Sequence, residues 1–154
     1  IDEGIPVSVI KNSLKTIKMN GRLQEIKNGK LKKILPKSSL LYADGAHNSL
    51  SSNSVCSALF QKYKHKNHYA IISMIKSKNP RSFLKPFKNF KKVFFVKMKQ
   101  DNAFEKETLN QIAKNTKVNS SVSKNCYEAI RSVKNKSNSV FLITGSFYYL
   151  QEII

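Results

Sequence analysis

The 154-residue sequence predicts an α/β domain with a mostly parallel sheet covered by helices on both faces. Short runs of continuous apolar residues alternate along the chain with segments whose apolar residues recur at helical spacing. This alternation is typical of a parallel sheet that is buried on both sides. Hydrophobic residues make up 40% of the chain, including 9 Phe and 6 Tyr, which is enough for one sizeable core.

Four apolar runs predict strands, because each is short, bounded by polar residues and rich in β-branched or aromatic side chains. They are residues 40–43, 69–72, 93–96 and 140–143. Before them, residues 21–35 predict a pair of short strands that turn at Asn28-Gly29, a dipeptide suited to a tight hairpin. A helix is expected from Val9 to Ile17.

Five stripes of apolar residues predict the helices that follow the strands. The stripes begin at Val55, Phe83, Leu109, Cys126 and Phe147. Asn48 or Ser49 can cap the first of these helices, and Pro80 suits the first turn of the second. Asn102 and Glu105 have the spacing of a capping box ahead of the third.

The charge of the chain is strongly positive, with 28 Lys and Arg against 9 Asp and Glu and a net charge of +19. A basic surface attracts phosphate backbones. However, 25 of the basic residues are Lys and only 3 are Arg, whereas base and phosphate recognition favours bidentate Arg. Abundant Lys, Asn and Ile indicate an AT-rich coding sequence. We therefore expect a solvated basic surface and no nucleic-acid partner.

Several other classes of protein do not fit the sequence. No apolar run approaches the ~20 residues of a membrane-spanning helix, so no membrane association is expected. Cys56 and Cys126 fall on helical stripes and are predicted to be core residues of a cytoplasmic protein. His65 and His68 lie in a Lys-rich segment that predicts a solvated helix end rather than a metal site. The chain has no P-loop and no dinucleotide-binding glycine fingerprint.

Polar residues follow the predicted strands at residues 44–48, 74–79, 97–101 and 144–146. Ligands of an open parallel sheet bind beyond the carboxyl ends of its strands, where these residues are expected. Asp44 and His47 could both face a cleft there, the carboxylate accepting a hydrogen bond from a ribose hydroxyl and the imidazole meeting an anion. In the alternative interpretation Asp44 only caps backbone amides and His47 is exposed and idle; the pattern leaves both open.

Three segments carry a resemblance to a known family: Gly21-Arg22-Leu23-Gln24, Asp44-Gly45-Ala46-His47-Asn48 and Thr144-Gly145-Ser146-Phe147-Tyr148. In order and spacing they resemble the C-terminal domain of folylpolyglutamate synthase/dihydrofolate synthase, within the Mur ligase superfamily. The resemblance spans residues 10–154, and the second segment is its specific part. The chain departs from the family at Met19-Asn20, where Trp-Pro is common. In the looser match of residues 74–79, Lys78 keeps its basic character.

The resemblance implies a Rossmann-like domain over residues 19–154, with residues 1–18 leading in from a missing N-terminal P-loop domain. The start at Ile1 without Met agrees with a fragment of a longer protein. The family's ligases add L-glutamate to dihydropteroate, to folates or to both, through an acyl phosphate. ATP and Mg²⁺ would be held mainly by the absent domain, so this domain would be inactive alone. A cytoplasmic monomer is expected.

The resemblance also implies roles for six residues. Arg22 would contact the ATP phosphates and Asp44 the nucleotide. His47 and Ser146 would be catalytic residues near the glutamate and the acyl phosphate. Asn48 and Lys78 are weaker candidates for substrate binding. Without the resemblance, Arg22 fits an ion pair on a strand surface better. Two other functions remain open, a basic nucleic-acid-binding module and a non-catalytic interaction domain, because a fold alone does not determine function.

Overall fold

The computed structural model describes residues 6–9 and 21–153. The helix predicted from Val9 to Ile17 therefore lies outside the described residues, apart from Val9. The strands in the described part are β1 (Gln24–Glu25), β2 (Leu40–Ala43), β3 (Asn67–Ile72), β4 (Lys92–Phe95), β5 (Ser120–Val122) and β6 (Ser139–Thr144). The helices are α1 (Lys30–Lys33), α2 (Ser49–Lys62), α3 (Pro80–Leu84) with a 3₁₀ turn (Lys85–Asn89), α4 (Lys106–Asn115), α5 (Cys126–Ser132) and α6 (Phe147–Ile153).

The six strands form one sheet in the order β1-β2-β6-β3-β4-β5. All neighbours pair in parallel except β1, which is antiparallel to β2. The last strand, β6, lies between β2 and β3 and is buried along its whole length. The mostly parallel sheet predicted from the four apolar runs is confirmed.

Two apolar cores cover the two faces of the sheet, because alternate residues of each buried strand point to opposite sides. Helices α2, α3 and α4 pack on one face and α1, α5 and α6 on the other, as predicted. Cys56 belongs to the first core and Cys126 to the second, and both thiols are buried. Burial raises the pKa of the Cys126 thiol to about 12. Both cysteines are therefore core residues.

The predicted hairpin at Asn28-Gly29 is wrong. Gly29 does adopt a left-handed conformation, with φ of 95°, but it precedes the first turn of α1 instead of joining two strands. Leu31 and Ile34 lie three residues apart, so one helical turn places both against the second core. The only strand of this segment, β1, pairs with β2.

Two further elements differ from the sequence interpretation. Strand β5 has no apolar run and no fully buried residue, which is why pattern analysis missed it; it is an edge strand held by β4. The capping box predicted from Asn102 and Glu105 is also wrong, since Glu105 itself is the N-cap of α4 and makes no side-chain capping bond. The other two caps are confirmed: Asn48 caps α2, and Pro80 is the first residue of α3.

The prediction that His68 lies in a solvated helix end is wrong as well. His68 is the second residue of β3, with a side chain only 3% exposed. Its ring packs against Phe60 at 4.4 Å and Phe90 at 5.8 Å between centroids. Burial lowers the pKa of His68 from its ordinary value of 6.5. It is a neutral core residue.

Candidate functional site

Asp44 ties together the backbone at the carboxyl end of β2. Its Oδ2 accepts a hydrogen bond from the Leu23 amide at 2.7 Å and its Oδ1 accepts one from the Ala46 amide at 2.7 Å. The side chain is 6% exposed, and this burial raises the pKa of Asp44 although the two amide bonds oppose the shift. Asp44 thus caps backbone amides, as the alternative interpretation held, and it also lines a cavity.

Arg22 is exposed on the loop that Asp44 holds. Its neighbours, Gly21 and Leu23, both have positive φ, at 71° and 38°; glycine adopts such a φ freely, whereas at Leu23 it strains the backbone. The guanidinium lies over the ring of Phe147, 4.9 Å from its centroid. Among the described residues the one salt bridge joins Lys97 and Glu105, so Arg22 is not in the strand-surface ion pair considered above. It shares its cavity with the Asp44 carboxylate but makes no ion pair among the described residues, so its donors are available to an anion.

His47 has a defined tautomer when neutral. Its Nδ1 lies 2.8 Å from the carbonyl oxygen of Gly45. Because a carbonyl oxygen can only accept, Nδ1 carries the proton and donates it. Nε2 is then left with a free lone pair in the neutral ring. The ring is half-buried, and this hydrogen bond fixes its orientation.

The predicted site residues line two adjoining cavities. The Arg22 cavity, of about 490 Å³, is lined by Arg22, Asp44, His47 and Asn48 together with the first three turns of α2. The Ser146 cavity, of about 210 Å³, is lined by His47, Lys78 and Ser146. His47 belongs to both. The structure thus brings all six predicted residues to one edge of the sheet and divides them between two compartments.

Asn48 and Ser146 also have capping roles. Asn48 is exposed and its Oδ1 accepts a hydrogen bond from the Ser51 amide at 2.9 Å, which caps α2. Ser146 is 4% exposed, and its Oγ accepts one from the Tyr148 amide at 3.2 Å at the start of α6. Asn48 Oδ1 accepts from both the amide and the hydroxyl of Ser51, whereas the Ser146 hydroxyl can still donate its proton into its cavity.

Phe147 is the part of the site that sequence analysis missed. It begins a helical stripe, which predicts a core residue, yet its side chain is 36% exposed and lines the Ser146 cavity. Its ring lies against Gly45 so closely that a Cβ there would overlap it. No local pattern in the sequence indicates this contact. Gly45 follows β2 and Phe147 follows β6, and only the fold brings the two residues together.

Polar residues after β4 do not join this site. Lys97 and Lys99 instead line a separate cavity of about 550 Å³ beside α1, α5 and α6. Within residues 6–9 and 21–153, no group of three His, Cys, Asp or Glu side chains is placed to hold a metal ion. The same residues include no helix long and apolar enough to cross a membrane.

The chain shares its fold with solved folylpolyglutamate synthases. A crystal structure from Thermotoga maritima matches with a TM-score of 0.71 at 22% identity, covering 97% of this chain and 34% of that one. E. coli FolC, in complex with DHPP and ADP, matches with a TM-score of 0.74 at 17% identity, covering 98% and 35%. The fold is that of a folylpolyglutamate synthase domain.

A bifunctional folylpolyglutamate synthase/dihydrofolate synthase, solved with Mn, AMPPNP and L-glutamate bound, matches with the same fold. Its TM-score is 0.72 at 16% identity, over 96% of this chain and 34% of that one. The chain therefore spans about a third of the length of these synthases. No family model matches the sequence, and a search of the curated proteins found no significant match.

Proposed function

We propose that residues 19–154 are the C-terminal domain of an ATP-dependent ligase that adds L-glutamate to dihydropteroate, to folates or to both. The observation that carries the proposal is the fold match over nearly the whole chain to synthases of this activity. The position of the Arg22, Asp44 and His47 side chains supports it, since they line one cavity at the carboxyl edge of the sheet. Residues 1–18 would lead in from the P-loop domain.

Arg22 fits a polyphosphate. Its guanidinium is exposed, is held over Phe147 and has no carboxylate partner among the described residues. A guanidinium beside a transferring phosphoryl group stabilises charge that spreads over its oxygens. ATP supplies the phosphoryl group that activates the substrate carboxylate as an acyl phosphate. We place Mg²⁺ in the P-loop domain, because no group of three His, Cys, Asp or Glu side chains among the described residues is placed to hold a metal ion.

The Ser146 cavity fits the amino acid. Lys78 supplies a cation for a carboxylate, and the Ser146 hydroxyl supplies a hydrogen-bond donor. His47 lies between this cavity and the Arg22 cavity with Nε2 unprotonated in the neutral ring. As the glutamate nitrogen attacks the acyl carbon, it must lose a proton, and Nε2 would accept it. Phosphate leaves as the amide forms.

Arg22→Ala in the full-length protein tests this proposal. We expect glutamate incorporation to fall by about 10³-fold or more, the scale at which arginine stabilises phosphoryl transfer. Arg131→Ala is the matched control, because Arg131 also lies over an aromatic ring, Tyr127 at 5.3 Å, but away from both cavities. The measurement is ATP-dependent transfer of labelled glutamate to dihydropteroate and to folate.

Two results would overturn the proposal: no glutamate transfer by the unsubstituted protein, or equal turnover in the Arg22→Ala and Arg131→Ala variants. Thermal unfolding of each variant checks that the fold is intact. Asp44→Ala is less suitable, because it also removes two backbone hydrogen bonds and so changes stability together with binding.

A further inference from the structure

In the described part of the chain, the segments at the edge of the sheet opposite the Arg22 and Ser146 cavities carry charge of one sign only. Five segments lead into the parallel strands β2, β3, β4, β5 and β6: residues 35–39, 62–67, 88–92, 114–119 and 133–139. We call them together the amino edge. They contain no Asp, Glu or Arg and eleven lysines: Lys37, Lys62, Lys64, Lys66, Lys88, Lys91, Lys92, Lys114, Lys117, Lys134 and Lys136. Eight of these lysines are exposed and three half-buried.

The amino edge is one connected surface. Lys66 Nζ donates to the Ser38 carbonyl at 2.8 Å and to Asn138 Oδ1 at 2.9 Å, which joins the segments before β2, β3 and β6. Asn119 Nδ2 donates to the Lys91 carbonyl at 2.7 Å, which joins those before β4 and β5. Neighbouring strands lie about 4.8 Å apart, so five strands give a row of about 20 Å.

A concave feature lies within this row. Lys91, Lys92 and Lys134 line a cavity of about 340 Å³ together with the amides of Asn67 and Asn135. All of these side chains offer N–H donors, and the lining contains no carboxylate. Helix C-termini favour nearby lysines and account for Lys62 and Lys114 at the ends of α2 and α4. They do not account for the lysines in the loops or for the missing carboxylates.

We propose that the amino edge binds the phosphate backbone of double-stranded nucleic acid without reading its sequence. Lysine contacts phosphates as a point charge and lacks the bidentate geometry that reads bases. Phosphates of one strand are spaced about 3.4 Å along the helix axis, so the row faces about six of them. None of the large exposed hydrophobic side chains of the described residues lies in these segments, which argues against insertion into a membrane or stacking on bases.

This proposal departs from the expectation of no nucleic-acid partner. That expectation came from the Lys-to-Arg ratio of the whole chain, whereas the structure shows where the lysines lie. The carboxyl edge mixes both signs, with Asp44, Asp101 and Glu105 among its basic residues. The inference is independent of the proposed ligase activity.

The test is fluorescence anisotropy of the full-length protein with a DNA duplex of about 20 base pairs, between about 50 and about 200 mM KCl. With about five phosphate contacts, the logarithm of affinity should fall against the logarithm of salt with a slope of about −4 to −5. In the amino-edge variant, Lys64, Lys117 and Lys134 are each replaced by Gln. The matched control replaces Lys76, Lys99 and Lys124 on the carboxyl edge. All six side chains are exposed, and both variants lose three charges.

We expect the amino-edge variant to bind at least about tenfold more weakly and its slope to move about three units toward zero. The control should stay within about twofold of the unsubstituted protein, since its lysines make no phosphate contact in the proposed complex. Equal losses in the two variants would mean that only net charge matters and would overturn the proposal. So would tighter binding to phosphatidylserine vesicles or to polyglutamate than to the duplex.

Discussion

The two edges of the sheet hold their polar side chains in opposite ways. At the carboxyl edge, the Asp44 and Ser146 side chains are buried and bonded to backbone amides, and Phe147 packs against a glycine. At the amino edge, most lysines extend into solvent. The carboxyl edge is therefore part of the packed structure, whereas the amino edge is a charged layer on it. Substitutions at the carboxyl edge should change stability, and those at the amino edge should mainly change long-range electrostatics.

The largest change in the free energy of unfolding should come from replacing Asp44. We compare it with Ser39, its counterpart at the amino end of β2. Asp44→Ala leaves the amides of Leu23 and Ala46 without their acceptor, so we expect a loss of about 2–4 kcal/mol. Ser39 is also buried; its hydroxyl accepts from one amide, that of Ser139 at 3.2 Å, and donates to the Lys136 carbonyl. Ser39→Ala should cost about 1–2 kcal/mol, less than Asp44→Ala, because both lost hydrogen bonds join neutral groups. Urea denaturation measures the free energy of unfolding of both variants. A smaller loss for Asp44→Ala than for Ser39→Ala would contradict the difference between the two edges.

Replacing Gly45 should cause the next largest loss of stability. In Gly45→Ala the new methyl group overlaps the Phe147 ring, and overpacking of this kind costs about 1–3 kcal/mol. Gly29→Ala, at φ 95°, meets no atom within 4 Å and introduces only backbone strain. Adding Phe147→Ala should recover part of the loss in Gly45→Ala and none in Gly29→Ala. Thermal or urea unfolding of these four variants and of Phe147→Ala alone gives the answer; additive losses in both pairs would rule out the ring contact.

The smallest effect concerns pH and a histidine beneath the amino edge. Burial lowers the pKa of His68, so the folded state binds fewer protons there than the unfolded state does. Neutral His68 is fully compatible with the fold above pH 6.5, and stability is lost as the pH falls below that value. We expect the free energy of unfolding to fall by about 1 kcal/mol between about pH 7 and pH 5.

His68→Phe should remove this pH dependence, because phenylalanine fills the same aromatic cluster without a proton to bind. His65→Phe is the control, since His65 is exposed on the same edge. Urea denaturation at a series of pH values compares the two. A pH dependence that survives in the His68 variant, or disappears in the His65 variant, would assign it to another group.

A strand could be predicted from the sequence where its own side chains are apolar and buried. Strands β2, β3, β4 and β6 are continuous apolar runs because both of their faces are covered, and sequence analysis located all four. Strand β5 depends on its partner β4 instead of on its own residues, and its polar sequence gives no sign of it. Asn28-Gly29 misled because positive φ at Gly29 serves a helix start as well as a hairpin.

The candidate site was predictable as a set of residues but not as an arrangement. Asp44, His47 and Ser146 stand at strand ends, where topology alone directs ligand-facing groups. That His47 separates two cavities, and that Phe147 supports Arg22, depends on contacts between segments about 100 residues apart. No local pattern encodes such contacts. The grouping of lysines on one edge was hidden for the same reason, since they come from five separate segments.

The central position of β6 has a consequence for folding. Until this last strand inserts, β2 and β3 each present an unpaired, apolar edge, and strand edges of that kind promote association with other chains. Pairing β2 with β6 closes a loop of about 100 residues, a long-range step that makes folding slow. During synthesis the sheet must therefore stay open until nearly all of the domain has left the ribosome, which exposes its partly folded form to aggregation.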